Sequence, residues 1–419
     1  IKRLGFISLI KIRYSWGQSG NAPSGTSPYI GTFEAVTPGY GDMNAVKPAS
    51  PDLTHLKYET ITSNNIGVDF GLFSDKVNFT FELYKKVTDD LLQKKMKVPS
   101  STGLSTVAWY NSGKIQNKGW EFNIDIAAVK TKDWSFNFGF NISQNKNEIL
   151  ELPENKNDEL YTFGNKNYAY SVMMGDPLGS FYGYRYKGVY QNVEETYAVN
   201  TSGQRILDID GNPVVMKNGD QKVYPGDARY EDVNGDGVID ENDIVYLGNS
   251  NPTLTGGLNF TLRYKKVSLV AAFHGRAGQK VINQARMDME NMRGKNNQSV
   301  AVLRRWRSEG DDTDIPRALY DKGYNYLGSD RFVEDASFLR LKTVTLKYQM
   351  PAKWMKAIGV NKLELYATGY DMFVWTKYKG QDPEVNLKAA NDGTVAQVAI
   401  DSNNTPKPFK IAFGLNLNF

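Results

Sequence analysis

Large apolar side chains alternate with polar or small ones in ten segments of this 419-residue chain. In the last of them, residues 409–419, the odd positions are Phe, Ile or Leu and the even positions are Lys, Ala, Gly or Asn. Because successive side chains of a β-strand point to opposite faces, this period of two predicts strands with one apolar face. The ten candidate strands are residues 10–16, 66–73, 76–83, 120–127, 134–143, 258–264, 268–275, 344–350, 362–370 and 409–419.

The connections between these segments alternate between short and long. The short ones are residues 74–76, 130–133, 265–266 and the somewhat longer 351–361. The long ones are rich in Gly, Asn, Asp and Pro, and they comprise residues 18–57, 93–107, 148–252, 278–335 and 375–407. This regular exchange predicts an up-and-down antiparallel sheet with one trimmed rim and one rim of long loops, which is typical of bacterial outer-membrane barrels.

The two faces of the candidate strands differ in chemistry. One face is an almost unbroken row of aromatic and aliphatic residues, and the other carries Lys11, Arg13, Asp69, Glu82, Glu121, Asp125, Arg263 and Lys410. A soluble antiparallel sandwich also alternates, so this alternative stays open. The asymmetric rims, the strand number and the aromatic residues near strand ends favour an all-β, transmembrane, antiparallel up-and-down β-barrel with long extracellular loops. The charged inner face implies a wide lumen, so ten strands need not be the whole wall.

Composition narrows the classes of protein that fit this fold. The chain has no Cys, so a disulfide framework, a thiolate metal site and a cysteine nucleophile are excluded. Its net charge is +4, with basic and acidic residues interspersed, which does not indicate binding to nucleic acid. No apolar run reaches the roughly 18 residues of a transmembrane helix, and no signal peptide is recognisable. Because the chain does not begin with Met, we expect it to be part of a longer polypeptide.

Residues 232–243, with the sequence DVNGDGVIDEND, have the spacing of a calcium-binding loop. Oxygen ligands fall at loop positions 1, 3, 5, 7, 9 and 12, with Gly237 at the sixth position, where the chain must turn sharply. The candidate ligands are Asp232, Asn234, Asp236, the carbonyl of Val238, Asp240 and Asp243. Asp rather than Glu at position 12 makes Mg²⁺ a second candidate. No helix is predicted on either side, so we expect a structural Ca²⁺ site that fixes the long loop 148–252, and not a sensor.

Other candidate sites are weaker. The basic and aromatic run at residues 303–312 is typical of a solvated loop, and His55 and His274 lack the partners of a nucleophile or a zinc site. Carboxylate pairs occur in the calcium-type loop and not in a glycosidase-like arrangement. Trp109, Tyr110 and Trp375 are expected to anchor the sheet at the membrane interface. The sequence therefore indicates no enzyme.

Six separate stretches carry a resemblance to a known family. They are residues 9–21, 90–125, 226–269, 335–351, 365–385 and 413–419. Together they resemble the SusC-like (RagA-type) TonB-dependent outer-membrane transporters of Bacteroidota. The resemblance implies that residues 1–419 form the C-terminal portion, about ten strands, of a 22-stranded barrel. The signal sequence, the TonB box and the plug domain of that family have no counterpart here.

The resemblance also implies a function and partners. We expect TonB-dependent active import of nutrient oligosaccharides across the outer membrane, with a SusD-like surface lipoprotein as a lid. The TonB complex would act through the absent N-terminal region, and outer-membrane lipid would surround the wall. Phe419 would end the last strand at the periplasmic rim. The alternatives are a peptide importer of the same family, a passive porin, and a soluble calcium-dependent surface glycan-binding protein.

Overall fold

The structure is a computed structural model, and it describes residues 5–24, 27–37, 43, 45–104, 106–152, 161–162, 168–170, 173–321, 323–357, 359–389, 397–403 and 405–418. Its two α-helices are short, α1 (Gln284–Glu290) and α2 (Ala352–Ala357). Short 3₁₀-helices occur at Ser100–Thr102, Glu194–Thr196, Glu241–Asp243, Val300–Arg304 and Asp330–Phe332. None of the helices in these ranges is both long enough and apolar enough to span a bilayer.

Strands make up most of the ordered backbone. The first nine are β1 (Ile7–Asn21), β2 (Thr32–Val36), β3 (Ala45–Ser50), β4 (Glu59–Leu72), β5 (Val77–Asp89), β6 (Leu92–Lys97), β7 (Thr106–Asn111), β8 (Lys114–Lys130) and β9 (Trp134–Glu151). Nine short strands follow, β10 (Tyr161–Thr162), β11 (Ala169–Tyr170), β12 (Ser180–Gly183), β13 (Tyr186–Val189), β14 (Lys217–Asn218), β15 (Gln221–Lys222), β16 (Ala228–Tyr230), β17 (Val238–Ile239) and β18 (Val245–Asn249). The last nine are β19 (Leu254–Tyr264), β20 (Val267–Ala277), β21 (Lys280–Ile282), β22 (Val333–Asp335), β23 (Phe338–Gln349), β24 (Lys362–Thr376), β25 (Leu387–Ala389), β26 (Gln397–Ala399) and β27 (Lys410–Asn418).

Ten of these strands form one antiparallel sheet, which we call the wall. Its order is β1-β4-β5-β8-β9-β19-β20-β23-β24-β27, so each wall strand pairs with the next wall strand along the chain. Each overlaps one of the ten segments predicted from the alternation, to within one residue at either end of that segment, and the predicted up-and-down topology is confirmed. Several strands extend well beyond the segment that alternates, as in β9, which has 18 residues.

The two rims also agree with the prediction. Wall strands are joined on one rim by residues 73–76, 131–133, 265–266 and 350–361. On the other rim they are joined by residues 22–58, 90–113, 152–253, 278–337 and 377–409. The tightest turns need the left-handed backbone region, which Phe73, Ser74 and Asp75 occupy in one turn and Lys265 in another. The last predicted residue of the wall, Phe419, lies outside the described residues.

The apolar face of the wall is open to its surroundings. Phe413 is 81 % exposed and Leu346 is 53 % exposed, although both belong to the regular apolar rows of their strands. Within the described ranges the large apolar residues of this face are exposed, which does not fit the buried inner face of a sandwich. A continuous apolar surface of this extent is the surface that a barrel turns to lipid.

The opposite face of the wall carries ion pairs and amides. Arg13 donates to both carboxylate oxygens of Asp69 at 2.9 Å and to Glu82 at 2.6 Å, which ties β1, β4 and β5 together. Thr80 and Asn65 complete the network by donating to Asp69 and Glu82. This face is the polar, inner face that the sequence predicted.

Candidate functional site

Three of the long connections pack together into one folded body on the long-loop rim. We call it the rim unit, and it comprises the described residues of 152–253, 278–337 and 377–409. One of its cores takes side chains from all three connections, namely Tyr168, Phe181, Ile282, Met287, Phe332 and Val398. The sequence had indicated polar loops here, whereas the structure shows buried aromatic and aliphatic residues. The rim unit is therefore a small domain built from loops.

A second core of the rim unit surrounds the calcium-type loop. Ile239 of this loop is 2 % exposed and lies in a cluster with Tyr184, Tyr190, Tyr230 and Leu327. Val238 and Ile239 form β17, which pairs in parallel with β14. Burial raises the pKa of the Tyr184 phenol to about 12, and the nearby carboxylates of Asp243 and Asp240 add to this effect. The buried side chain of Ile239 thus anchors the calcium-type loop in the second core of the rim unit.

The first candidate ligands of the loop accept hydrogen bonds from the loop backbone. Asp232 accepts from the N–H groups of Gly235 at 2.7 Å and Gly237 at 2.8 Å. Asn234 accepts from the N–H of Asp236, and Asp236 accepts from that of Val238 at 2.8 Å. Since a carboxylate has about four lone-pair positions, these bonds fold the loop and leave further positions for a cation.

Asp243 closes the loop at its other end. Its side chain is 0 % exposed and accepts from the N–H groups of Val233 at 2.7 Å and Asp240 at 2.9 Å. Burial raises the pKa of Asp243, as does the neighbouring charge of Asp232, while the backbone hydrogen bonds act in the opposite direction. Asp240 in turn accepts from the N–H of Asn242. A buried carboxylate of this kind is stabilised by a nearby positive charge.

Two glycines let the loop pass close to its neighbours. Gly237 has φ of 85°, and a Cβ there would lie 2.9 Å from the Cβ of Ala198. Gly235 has φ of 71°, and a Cβ there would lie 2.6 Å from the backbone nitrogen of Thr201. The sixth-position glycine of the motif therefore has both a conformational and a steric reason in this chain.

The charge of this loop fits a metal ion, but its side chains are not yet gathered around one point. Among the described residues, none of Asp232, Asp236, Asp240 and Asp243 forms an ion pair with a basic side chain, so their charges are not neutralised by the protein. In the same ranges, however, no three His, Asp or Glu side chains are gathered as a ready-made metal cluster. The residue types and the turn fit a hard cation, and the side chains would have to converge on it.

A buried ionic network joins the rim unit above its first core. Arg286 of α1 pairs with Glu290 at 2.8 Å and with Glu334 at 3.0 Å, and Arg331 pairs with Glu290 at 3.0 Å. The guanidinium of Arg331 also lies over the ring of Tyr186, which belongs to a different connection. Nothing in the sequence pattern predicted this network, because its members are up to 148 positions apart.

A second ionic cluster anchors the rim unit to the wall. Arg340 of β23 is 2 % exposed and donates to Asp382 at 2.5 Å, and its Nε lies 3.4 Å from Glu384. Lys342 and Lys407 also pair with Glu384. Burial alone would raise the pKa of Glu384, but the hydrogen bond from Lys407 and the three positive charges lower it. Arg340 lies next to a register shift between Leu341 and Thr343, which the sequence does not reveal.

A cavity of about 950 Å³ lies where the upper end of β9 meets the rim unit. Its polar lining is rich in amides, which come from Asn117, Asn145, Asn147, Asn249 and Asn251. Neutral amides of this kind can donate to and accept from hydroxyl groups.

The weaker candidates from the sequence do not assemble into a site. Within the described ranges, His274 contacts the ring of Phe338, and His55 lies in the connection 22–58 without a metal-binding neighbour. In the run 303–312, Trp306 packs on Gly226. Trp375 stacks near Phe273 at 6.3 Å on the apolar face, where the sequence predicted an interfacial residue.

Comparison with known proteins identifies the family of this wall. The family described as TonB dependent receptor-like, beta-barrel, matches residues 5–230. TonB-dependent receptor P26 of Formosa agariphila is 32% identical over 98% of this chain and 40% of its own length. TonB-dependent receptor SusC of Bacteroides thetaiotaomicron is 27% identical over 100% of this chain and 38% of its own length.

Solved structures show the same fold. The RagAB peptide transporter superposes with a TM-score of 0.73 at 22% identity, over 99% of this chain and 41% of the matched chain. The chain thus spans about 40% of the length of the relatives that it matches. It belongs to the TonB-dependent receptor-like β-barrel family, and its ten-stranded sheet is part of the wall of an outer-membrane barrel.

Proposed function

We propose that the protein takes part in TonB-dependent active import across the outer membrane, as a SusC/RagA-type transporter of nutrient oligosaccharides. The observation that carries this proposal is the family membership of a wall whose inner face is polar and whose outer face is apolar. Such a wall separates a wet lumen from lipid.

The amide-rich cavity below the rim unit supports an oligosaccharide rather than a peptide cargo. Sugars present many neutral hydroxyl groups, and Asn117, Asn145 and Asn147 offer neutral donors and acceptors on one stretch of the inner face. Asn145 already accepts from the Tyr84 hydroxyl at 3.0 Å, which holds its amide in place.

Uptake by living cells tests the cargo and the energy source together. Cells whose only importer is this protein should take up labelled oligosaccharides, and uptake should stop when the proton gradient is dissipated. The variant N145L/N147L should lower uptake about tenfold, and N297L, on an exposed part of the rim, should not. Uptake that survives an uncoupler would favour a passive porin, and uptake of labelled oligopeptides in place of sugars would favour a peptide importer.

We further propose that the rim unit seats a SusD-like lipoprotein lid. Exposed apolar residues support this, since Val300 is 80 % exposed and Leu303 lies one turn further along the same 3₁₀-helix. V300D/L303D should abolish co-purification of the lipoprotein in mild detergent. The matched change L207D, in another exposed hairpin of the rim unit, should leave it intact. If the lipoprotein co-purifies equally with both variants, Val300 and Leu303 do not seat the lid.

For the loop 232–243 we propose a structural Ca²⁺ site, with Mg²⁺ as the alternative occupant. Its ligands would be Asp232, Asn234, Asp236, Asp240 and Asp243 together with the carbonyl of Val238. Three observations support it: the spacing, the unneutralised carboxylates, and the sharp turn at Gly237. A bound cation would stabilise the core around Ile239 and so the whole rim unit.

Calorimetric titration with Ca²⁺ and limited proteolysis test this site. Added Ca²⁺ should bind one to one and slow cleavage of the rim unit, and chelator should reverse the effect without unfolding the barrel. D232N/D236N should lose both effects. The control D208N alters another Asp that accepts backbone N–H groups in a tight turn, and it should retain them. Proteolysis that is indifferent to Ca²⁺ in the unchanged protein would rule the site out.

A further inference from the structure

Three lysines form a row on the outer face of the wall. Lys85 of β5 lies directly opposite Lys118 of β8, and Lys118 lies directly opposite Lys146 of β9. Side chains that face each other across antiparallel strands have Cβ atoms about 4.5–5.5 Å apart, and like charges in such pairs are destabilising. Three adjacent strands therefore share a destabilising arrangement, which a bound anion would offset. We call these residues the lysine row.

The strand alternation places the lysine row on the lipid-facing side. In β5, Lys85 continues the apolar series Val77, Phe79, Phe81 and Leu83. Lys118 precedes Trp120 in the outward series of β8, and Lys146 follows Ile142 at a distance of four residues in β9. Each lysine thus lies on the long-loop side of these apolar residues.

The height of the row matches the boundary of the membrane. Eight residues separate Val77 from Lys85, which is about 26 Å along the strand at about 3.3 Å per residue. With the usual tilt of about 40°, this gives about 20 Å of height, close to the apolar band of about 25 Å. The lysine row therefore lies at the level of lipid headgroups.

The row borders an open groove of about 510 Å³ with aromatic walls. Tyr14 and Trp120 line it, and their polar ends are fixed: the Tyr14 hydroxyl bonds Asn64 at 3.2 Å and the Trp120 indole N–H donates to Gln144 at 2.5 Å. Aromatic residues with one apolar and one polar end are typical of the membrane interface. The groove thus combines apolar surface for acyl chains with positive charge for a headgroup.

The protein supplies too little negative charge to neutralise the row. Glu148 is 3.8 Å from the ammonium of Lys118 and 3.5 Å from that of Lys146. Among the described residues Lys85 forms no ion pair, and the acidic residues of these strands, such as Glu82 and Glu121, belong to the opposite face. One carboxylate therefore serves two of the three ammonium groups, and the third has none among the described residues.

We propose that the lysine row and its groove bind the phosphate group of a membrane lipid in the leaflet next to the long loops. The phosphate oxygens would accept charge-assisted hydrogen bonds from the three ammonium groups. The acyl chains would lie along Leu83, Trp120 and the apolar rows below. The side chains of the lysine row lie on the opposite face of the wall from Asn117 and Asn145, although Lys146 also borders the amide-rich cavity. The site is apart from the calcium-type loop, and it concerns how the wall sits in its membrane.

Native mass spectrometry of the full-length protein in detergent tests the site. The probes are phosphatidic acid, phosphatidylcholine with the same acyl chains, and inorganic phosphate. The protein should retain phosphatidic acid at least about tenfold better than phosphatidylcholine, because polybasic surfaces favour anionic lipid. K85Q/K118Q/K146Q should lose this preference. The matched control K130Q/K132Q/K265Q removes the same charge from the short-turn rim and should keep it.

Several outcomes would overturn the proposal. If the preference survives in the lysine-row variant, these lysines do not form the site. If it falls equally in the control, the lipid is held by nonspecific charge attraction. Displacement of the lipid by millimolar inorganic phosphate would mean a site for a free anion. Heat-modifiable migration on gels verifies that each variant forms its barrel. If the triple variant does not, K118Q alone, which removes the central lysine, should reduce the preference several-fold.

Discussion

At the scale of single residues, the predicted loop ligands and the unpredicted anchors have different origins. Asp232 to Asp243 could be found because a calcium-type loop needs oxygen atoms at fixed spacing within twelve residues. Arg340 could not be identified as an anchor, because its partners Asp382 and Glu384 come from a connection more than 40 positions away. Local spacing reveals a site made by one segment, whereas contact between segments depends on the fold.

The contact between Gly226 and Trp306 offers a test at this scale. G226A should destabilise the rim unit by about 1–3 kcal/mol, since the new Cβ would lie 2.2 Å from the Trp306 ring. The control G211A introduces the same methyl group at a similar φ, 81° against 86°, but with no atom within 4 Å. Hydrogen exchange of the rim unit is compared between the two variants. Both carry Ala at a positive φ, so their difference measures the clash with Trp306 alone. Equal exchange in both would show that Trp306 does not pack on Gly226.

At the scale of elements, the wall was predictable and the rim unit was not. All ten wall strands carry an alternation with a period of two, because each has one face for lipid and one for the lumen. The described strands of the rim unit are two to five residues long, which is too short for a period to be recognised. A signal was present in FYGYRYKGVY at residues 181–190, where Tyr182, Tyr184 and Tyr186 alternate.

The ionic cluster around Arg340 predicts how firmly residues 377–409 are held to the wall. R340Q should leave the carboxylates of Asp382 and Glu384 without their buried partner, at a cost of about 3–5 kcal/mol. Residues 377–409 should then be cleaved faster by protease. The control R185Q breaks an exposed pair with Glu231 and should change stability by less than about 1 kcal/mol. Equal cleavage of R340Q and the unchanged protein would contradict the anchor.

The same cluster predicts a dependence on pH. The pKa of Glu384 is lower in the folded protein than its ordinary value of 4.5, so its ionised form is favoured by folding. The stability that it contributes is fully present above pH 4.5 and is lost as the pH falls below that value. Acid-stable protease should therefore open residues 377–409 more readily at pH 3.5 than at pH 6. E384Q should remove this difference, and a difference that persists would assign it to other groups.

At the scale of the whole molecule, the stability of the wall depends on whether its apolar face contacts lipid or water. Leu346 is 53 % exposed, and in water its replacement by Arg would be nearly neutral. In the hydrocarbon layer the same change costs about 2–4 kcal/mol. L346R should therefore lower the amount of heat-modifiable protein in the outer membrane, while L346A should have a smaller effect. Normal membrane levels of L346R would mean that this face does not contact lipid.

The common core of the three rim connections also governs how the mouth of the barrel can move. Phe181, Ile282 and Val398 come from different connections, and all three are fully buried in the same core. No single connection can leave this core without exposing the residues of the other two, so unfolding of the core must involve all three at once, whereas the segment around Glu384 lies outside it. The amide protons protected by this core should then share one free energy of opening, as measured by hydrogen exchange. A ligand that binds only one connection would slow exchange in all of them, and would thereby act on the entire mouth.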